Sequence, residues 1–344
     1  MIISQTYEDL IKNKDEKLNL VYIDVRSPIE YKESHIPNAI NIPVFSDNER
    51  EEIGILYKQK GKRTAIRRAL EIVGPKVLNL YLKFEKHFQK NTLMVVYCAR
   101  GGMRSSAVTS LFKEFSLPLV RLKDGYKGYR QYINNELPEM FKTIKFVSLY
   151  GKTGSGKTNI LKEIKNIGYD ILDLEACANN RGSLLRGIGL GERYTQKTFE
   201  SLVFESLLNR KTNLVFTEGE SRRIGNIVMP KYMYDNLLNS QKIYINTPME
   251  NRVKIIKDEY VKIENSKDEM KEAINKLRKY ASTKEVDTYI EQLNNDDYDN
   301  LIKDIIENYY DKVYSTKDKE FSIIFNNIDN KKCAKSICEY FLLD

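Results

Sequence analysis

The sequence predicts an α/β protein of two parallel-sheet domains, the second doubly wound and followed by a run of helices. Three observations lead there. Short apolar runs alternate with stretches of helical spacing from residue 20 to residue 246. Two of those runs end in glycine-rich loops, CARGGMRS at residues 98–105 and GKTGSGKT at residues 151–158. The chain has 344 residues, 41% of them hydrophobic, which is enough for two ordinary cores.

In the first half, LVYIDVR (20–26) reads as a buried strand. Ser27-Pro28 then opens a helix, with Glu30 near its N-terminus, where the helix dipole favours a carboxylate. Ile36-Pro37-Asn38 turns the chain, and Ala39 to Pro43 makes another short strand. TLMVVYC (92–98) delivers Cys98 at a strand's carboxyl end, and SSAVTSLFKEF (105–115) follows with helical spacing. LVRLKDGYKGYR (119–130) is a strand expected to end in a glycine turn. Sites in such sheets lie beyond the strand carboxyl ends, which is where Cys98 falls.

Gly101 and Gly102 let successive backbone N–H groups point inward as an anion nest, and the following helix aims its positive end at the same place. Arg100 and Arg104 add fixed charge. All three effects favour thiolate at Cys98, the form that attacks sulfur, selenium or phosphorus. Cys177, Cys333 and Cys338 lack such surroundings and read as buried and inert. His35, in the turn, reads as a structural hydrogen-bonding group rather than a base. With no CxxC pair and two histidines, His35 and His87, no zinc site is expected. MIISQTYEDL carries no signal-peptide pattern and no apolar run approaches a membrane span, so a reduced, cytoplasmic protein is expected.

The net charge of +8 is concentrated: residues 51–130 hold 17 Lys/Arg against 6 Asp/Glu. Such a block suits either a polyanion or a solvated face, and KQKGKRTAIRR (58–68) is its densest, helix-like part.

The predicted boundary lies between a domain of residues 1–137 and a domain of residues 143–344, at the polar stretch NNELPEM. IKFVSLY (144–150) is a strand running into GKTGSGKT, and NILKEIKNI (159–167) is a helix, the context a phosphate-binding loop requires. Gly151, Gly154, Ser155 and Gly156 would wrap an anion with backbone N–H groups. Lys157 would add charge at the outer phosphates, and the Thr158 hydroxyl can hold Mg²⁺. YDILDLE, NLVFTEGE and KIYIN supply further strands of a P-loop NTPase-like sheet. Asp173 and Glu218, near strand ends, read equally as orderers of metal-bound water, helix caps or surface carboxylates. Beyond residue 250 helices dominate, and their charges read as solvated faces. Polar groups bunch at Ala178–Ser183, Arg193–Glu200 and Glu218–Gly225, where a fold alone needs none.

DVRSPIEYKESHIPNAINIP, CARGGMRS and LKDGYKGYR resemble a rhodanese domain over residues 5–135, whose loop cysteine carries a persulfide or analogous adduct; the loop here is one residue longer than C-x-x-G-x-R. Cys98, Arg104 and Ser105 also resemble the cysteine-phosphatase signature, though Tyr97 stands where those have His. Joined to the P-loop domain with RGS, TQKTFE and EGESRRIG, the chain resembles the tRNA 2-selenouridine synthases, with Asn180 in place of a His before Arg181. The resemblance implies S-geranylation of a wobble 2-thiouridine from geranyl diphosphate, then exchange for selenium from selenophosphate, with no tightly bound cofactor. It implies Cys98 as the chalcogen-carrying residue, Arg100 and Arg104 on the anionic donor, and Gly151 to Thr158 on the diphosphate. It implies Arg181, Lys197, Glu218 and Arg222 as substrate-orienting groups, and tRNA as partner. A sulfurtransferase or cysteine phosphatase fused to a small-molecule kinase, and a non-catalytic P-loop regulator, stay open on the residues alone.

Overall fold

The computed structural model describes residues 4–13, 18–180, 192–260, 266–313 and 320–342. Two units emerge, Met1–Leu137 and Pro138–Asp344. In the first, β1 (Ser4–Gln5), β2 (Asn19–Asp24), β3 (Ile40–Asn41), β4 (Thr92–Tyr97) and β5 (Leu119–Leu122) form a parallel sheet in the order β1-β5-β4-β2-β3. The central strand β4 has residues Met94 to Tyr97 wholly buried, as a strand covered on both faces must. Phe84 and Phe112, from helices Val77–Glu85 and Met103–Glu114, meet edge to face at 5.4 Å in the core.

The glycine turn expected after β5 is instead the first turn of a helix, Gly125–Thr143, which runs through Pro138 and holds the boundary between the units. NNELPEM is therefore not a separating loop. Tyr129, Ile133, Leu137 and Phe141 recur every four residues and are all buried, a stripe that outweighs the polar neighbours and the proline. Gly125 is required by close approach. Its φ is +56°, and a Cβ there would stand 2.1 Å from the Cys98 carbonyl oxygen and 2.5 Å from the Gly101 nitrogen. Gly125→Ala is expected to destabilise the first unit by roughly 2–4 kcal/mol, read as a lowered transition in thermal unfolding of the full chain.

In the second unit, β6 (Lys145–Tyr150), β7 (Asp170–Leu172) and β8 (Leu214–Glu218) precede a small antiparallel pair, β9 (Arg223–Ile224) and β10 (Ile227–Val228). β11 (Gln241–Asn246) and β12 (Ile323–Asn326) complete the main sheet, parallel throughout in the order β12-β11-β6-β8-β7. The chain leaves β6 on one side for β7 and β8 and returns on the other for β11 and β12. The loop after β6 therefore opens at the switch point of the sheet, where such folds bind ligands. β12, four residues within a region read as helical, was not anticipated. The helices between them have their own core, with Ile274, Leu277, Val286, Leu293 and Ile306 fully buried. Among the described residues, no helix is long and apolar enough to cross a membrane.

Candidate functional site

Cys98 follows β4 directly and is buried. Its Sγ accepts the Gly102 N–H at 3.2 Å and lies 3.3 Å from Ser105 Oγ. Gly102 is also the N-cap of helix Met103–Glu114, so the sulfur sits at the positive end of a 12-residue helix. The loop is held from behind by the next helix. The N–H groups of Tyr126 and Lys127 donate to the carbonyls of Cys98 and Ala99 at 2.9 and 3.0 Å. With those carbonyls tied outward, loop amides are left for the sulfur side. The other three cysteines are also unpaired thiols, but burial pushes Cys177 up to about 12 and Cys333 and Cys338 up to about 11. They are unreactive as nucleophiles.

The two arginines of the loop are not equivalent. Arg104 closes a fork on Glu30, at 2.5 Å (Nη1 to Oε2) and 3.1 Å (Nη2 to Oε1), with Arg50 also 3.6 Å from the same carboxylate. Burial raises the Glu30 carboxyl, but the Arg104 hydrogen bonds and charge, the Ser27 amide and Arg50 outweigh it and hold its pKa below the usual range. Arg104 is thus engaged by the carboxylate that the sequence assigned only to a helix dipole. Arg100 is exposed and has no ion-pair partner among the described residues, so it is the loop arginine open to an incoming anion. Ser105, singled out in the sequence with Cys98 and Arg104 for their phosphatase-like spacing, is buried in the first turn of the helix and lies 3.3 Å from the sulfur.

Beneath the loop, Asp24 and Arg26 are both buried and doubly bonded, at 2.9 and 2.6 Å to Asp24 Oδ2, and Arg26 also donates to the Ser34 carbonyl. Its guanidinium lies 4.3 Å from the Tyr126 ring centre. His35 stacks on Tyr31 at 3.9 Å, and its Nδ1 is 2.9 Å from the Tyr31 carbonyl. Its position is structural, as the sequence suggested.

In the second unit, residues 151–156 curl around an open cavity of about 1180 Å³. Gly154 and Gly156 have φ of +77° and +81°, and helix Lys157–Ile167 starts behind them. The outward carbonyls of this loop are gripped from distant parts of the chain. Arg252, 4% exposed, donates Nε to the Thr153 carbonyl at 2.9 Å, and its two Nη atoms bind Asp311 at 3.0 and 2.7 Å. Lys152 reaches the same Asp311 at 2.9 Å. Thr247 Oγ1 and Asn327 Nδ2 both donate to the Ser155 carbonyl at 2.9 Å. This bracing keeps the loop amides facing the cavity. It also corrects the reading of the charges beyond residue 250 as solvated faces: Arg252 and Asp311 are structural parts of the cradle, and no short spacing linked them to it.

Lys157 Nζ donates to the Gly151 carbonyl at 2.9 Å, which places its charge over the loop. Thr158 Oγ1 lies 3.3 Å from Glu218 Oε1 and 3.4 Å from Glu175 Oε2. One hydroxyl proton serves only one of the two carboxylates. Glu218, fully buried at the end of β8, also accepts the Leu174 N–H at 3.1 Å. Burial first, then the charges of Asp173, Glu175 and Glu220, push the Glu218 carboxyl well above its usual value. Asp173 resolves to one of its expected readings: it caps helix Leu174–Cys177 through the Ala176 N–H at 2.8 Å, while also lining the cavity. Glu175 was missed because nothing in LDLEA distinguishes it until β7 and β8 lie side by side. Lys197 and Arg222 are exposed, Arg222 donating to the Met229 carbonyl at 3.3 Å, and neither lines the cavity. Arg181 lies outside the described residues.

The tRNA 2-selenouridine synthase AAA domain matches residues 144–340, more than half of the chain, and the rhodanese-like domain matches residues 6–132. The chain belongs to the tRNA 2-selenouridine synthase family. The tRNA 2-selenouridine synthase of Hydrogenovibrio crunogenus is 30% identical over 324 residues, covering 86% of this chain and 88% of its own. That of a Sulfurovum species is 34% identical over 248 residues, covering 71% of this chain and 66% of its own, just under two thirds. A solved rhodanese-related protein of Thermoplasma volcanium is 21% identical over 38% of this chain and 92% of its own, with a TM-score of 0.24. Within this synthase family assignment, the N-terminal unit is the rhodanese domain, and its loop holds Cys98.

Proposed function

We propose that this enzyme of tRNA modification replaces the 2-thio sulfur of a wobble uridine with selenium in two steps. In the first, the thiocarbonyl sulfur attacks C1 of geranyl diphosphate, the C–O bond breaks, pyrophosphate leaves and the uracil N3 proton is lost. In the second, selenium from selenophosphate bonds to C2 of the base, its phosphoryl group passes to water, and the C–S bond breaks to release geranylthiol. The observation that carries this reading is the pairing, on one chain of this family, of a hydrogen-bonded thiol at a helix N-terminus with a phosphate cradle braced on its outer carbonyls.

The cradle amides and Lys157 would hold the diphosphate and take up the charge that develops on it as the C–O bond breaks. Among the described residues no three His, Cys, Asp or Glu side chains converge to bind a metal by themselves. Thr158, Glu218 and Glu175 nevertheless fit a divalent ion that takes its remaining ligands from a diphosphate, and Mg²⁺ there would neutralise the leaving group. Cys98 would direct selenium onto C2, with Arg100 meeting the selenophosphate anion and Arg104 holding the loop through Glu30. The exposed cations Lys58, Lys60, Lys62, Arg63 and Arg67, none with an ion-pair partner among the described residues, would face the tRNA backbone. Arg68 differs, being tied to Glu52 and Glu71.

Nucleoside mass spectrometry of 2-thiouridine tRNA incubated with the protein tests the scheme. Geranyl diphosphate alone should give S-geranyl-2-thiouridine, and adding selenophosphate should convert it to 2-selenouridine. Selenouridine formed at full rate with no geranyl diphosphate would overturn the two-step order.

Glu218→Gln separates stability from chemistry. The folded pKa of Glu218 is raised above its ordinary value of 4.5. Stability is therefore lost as pH rises from the unfolded value through the raised folded one, because the unfolded chain releases the proton first. The glutamine variant avoids that loss. Its Tm should exceed that of the parent at pH 8 and converge with it near pH 4, while geranyl transfer falls on the order of 10²-fold.

A further inference from the structure

Beside the sulfur, the first unit carries a groove of about 1430 Å³ whose lining includes Cys98. One wall is the segment Asp47–Val73, which is two helical arms and not one helix. Gly61, at φ +82° and ψ 174°, breaks it, and Arg68 meets Glu52, sixteen residues earlier, at 2.6 Å. In a straight helix those residues would stand about 24 Å apart, so the second arm lies back along the first. KQKGKRTAIRR is thus the tip of a hairpin instead of the single helix that its spacing suggested. The other wall is helix Met103–Glu114.

Ile53, Ile66 and Leu70 from the arms, with Met103 and Leu111 opposite, make the groove aliphatic. Four of these remain open to solvent: Leu70 at 67%, Met103 at 51%, Leu111 at 41% and Ile66 at 36%. A continuous apolar surface of this kind marks a binding site. Lys58 and Arg100 stand among its lining residues, and Lys60, Lys62 and Arg63 continue the positive charge along the hairpin tip. Glu51 is the acidic residue in the lining. The fitting ligand has an apolar limb that reaches the thiol and a polyanionic body that stays at the basic rim.

We propose that this groove binds the prenyl chain of the S-prenylated tRNA, presenting the substituted base to Cys98 for the selenium step. The inference rests on the two-step reading above, in which the RNA reaches the thiol with an apolar chain on its sulfur. It adds that the rhodanese domain itself recognises that chain, so that the RNA that has passed the first step is selected over the one that has not.

The test measures the affinity of the full-length protein for two synthetic anticodon stem-loops, one with 2-thiouridine and one with S-geranyl-2-thiouridine, by fluorescence anisotropy. The readout is the ratio of the two dissociation constants. The parent protein should favour the geranylated RNA by at least about tenfold. Leu70→Asn and Ile66→Asn, neutral changes at exposed positions, should bring the ratio near one, and Leu70→Ile should preserve it. A parent ratio near one overturns the proposal. So does an unchanged ratio in both asparagine variants, or equal weakening of both RNAs, which would mean a plain RNA-binding surface. Free geranyl diphosphate that competes equally with both RNAs would place the chain's recognition elsewhere and also overturn it. Because the RNAs are synthetic, the ratio is measured whether or not the protein makes them. Failure of the two-step reading would instead appear as parent protein that forms no S-geranyl nucleoside.

Discussion

Cys98→Ala should stop selenouridine formation and leave S-geranyl-2-thiouridine to accumulate. The expected loss in the second step is at least on the order of 10³-fold, the scale of removing a reacting group from a preorganised site. The thiol is buried, it accepts the Gly102 N–H, and it sits at the N-terminus of a 12-residue helix. Alanine removes the sulfur and leaves the nest intact, since Arg104 and Glu30 and the Tyr126 and Lys127 amides hold the loop without it. Geranyl transfer should persist, because the phosphate cradle belongs to a unit with its own sheet and core. Nucleoside mass spectrometry distinguishes the outcomes. Selenouridine formed at the parent rate would remove Cys98 from the chemistry.

Lys157→Ala should produce the opposite pattern. The Lys157 Nζ donates to the Gly151 carbonyl at 2.9 Å, and in the proposed function its charge would meet the outer phosphates of the bound diphosphate. Removing a preorganised donor to a leaving group costs on the order of 10²–10³-fold in rate. No S-geranyl nucleoside should appear. RNA supplied already geranylated should still be converted, since that substrate has passed the step that needs the cradle. Undiminished geranyl transfer in the variant would show that the P-loop does not serve the diphosphate. Together the two substitutions assign each step to a unit, which neither does alone.

Much of the fold was legible because it rests on local signals. β4 and β6 are apolar runs ending in glycine loops, and the helices after those loops carry their spacing in the sequence. The failures share a cause. Gly125 and Gly128 read as a turn by propensity, whereas packing against the Cys98 carbonyl makes Gly125 the start of a helix. Gly61 read as part of a helical basic run, yet it folds that run back on itself. β12 is too short to rise above its helical neighbours and forms because β11 offers it an edge.

The motifs CARGGMRS and GKTGSGKT, by themselves, determined where the thiol and the phosphate cradle lie, because backbone conformation within a few residues creates both. Only the tertiary structure decided which charges are spent on holding them. Arg104 is bound by Glu30, 74 residues away, and the cradle's carbonyls by Arg252, Thr247 and Asn327, at separations of 92 to 172 residues. Only the folded hairpin of residues 47–73 places an apolar wall beside the sulfur. Pairings of that kind depend on which strands lie side by side, and no local pattern encodes them.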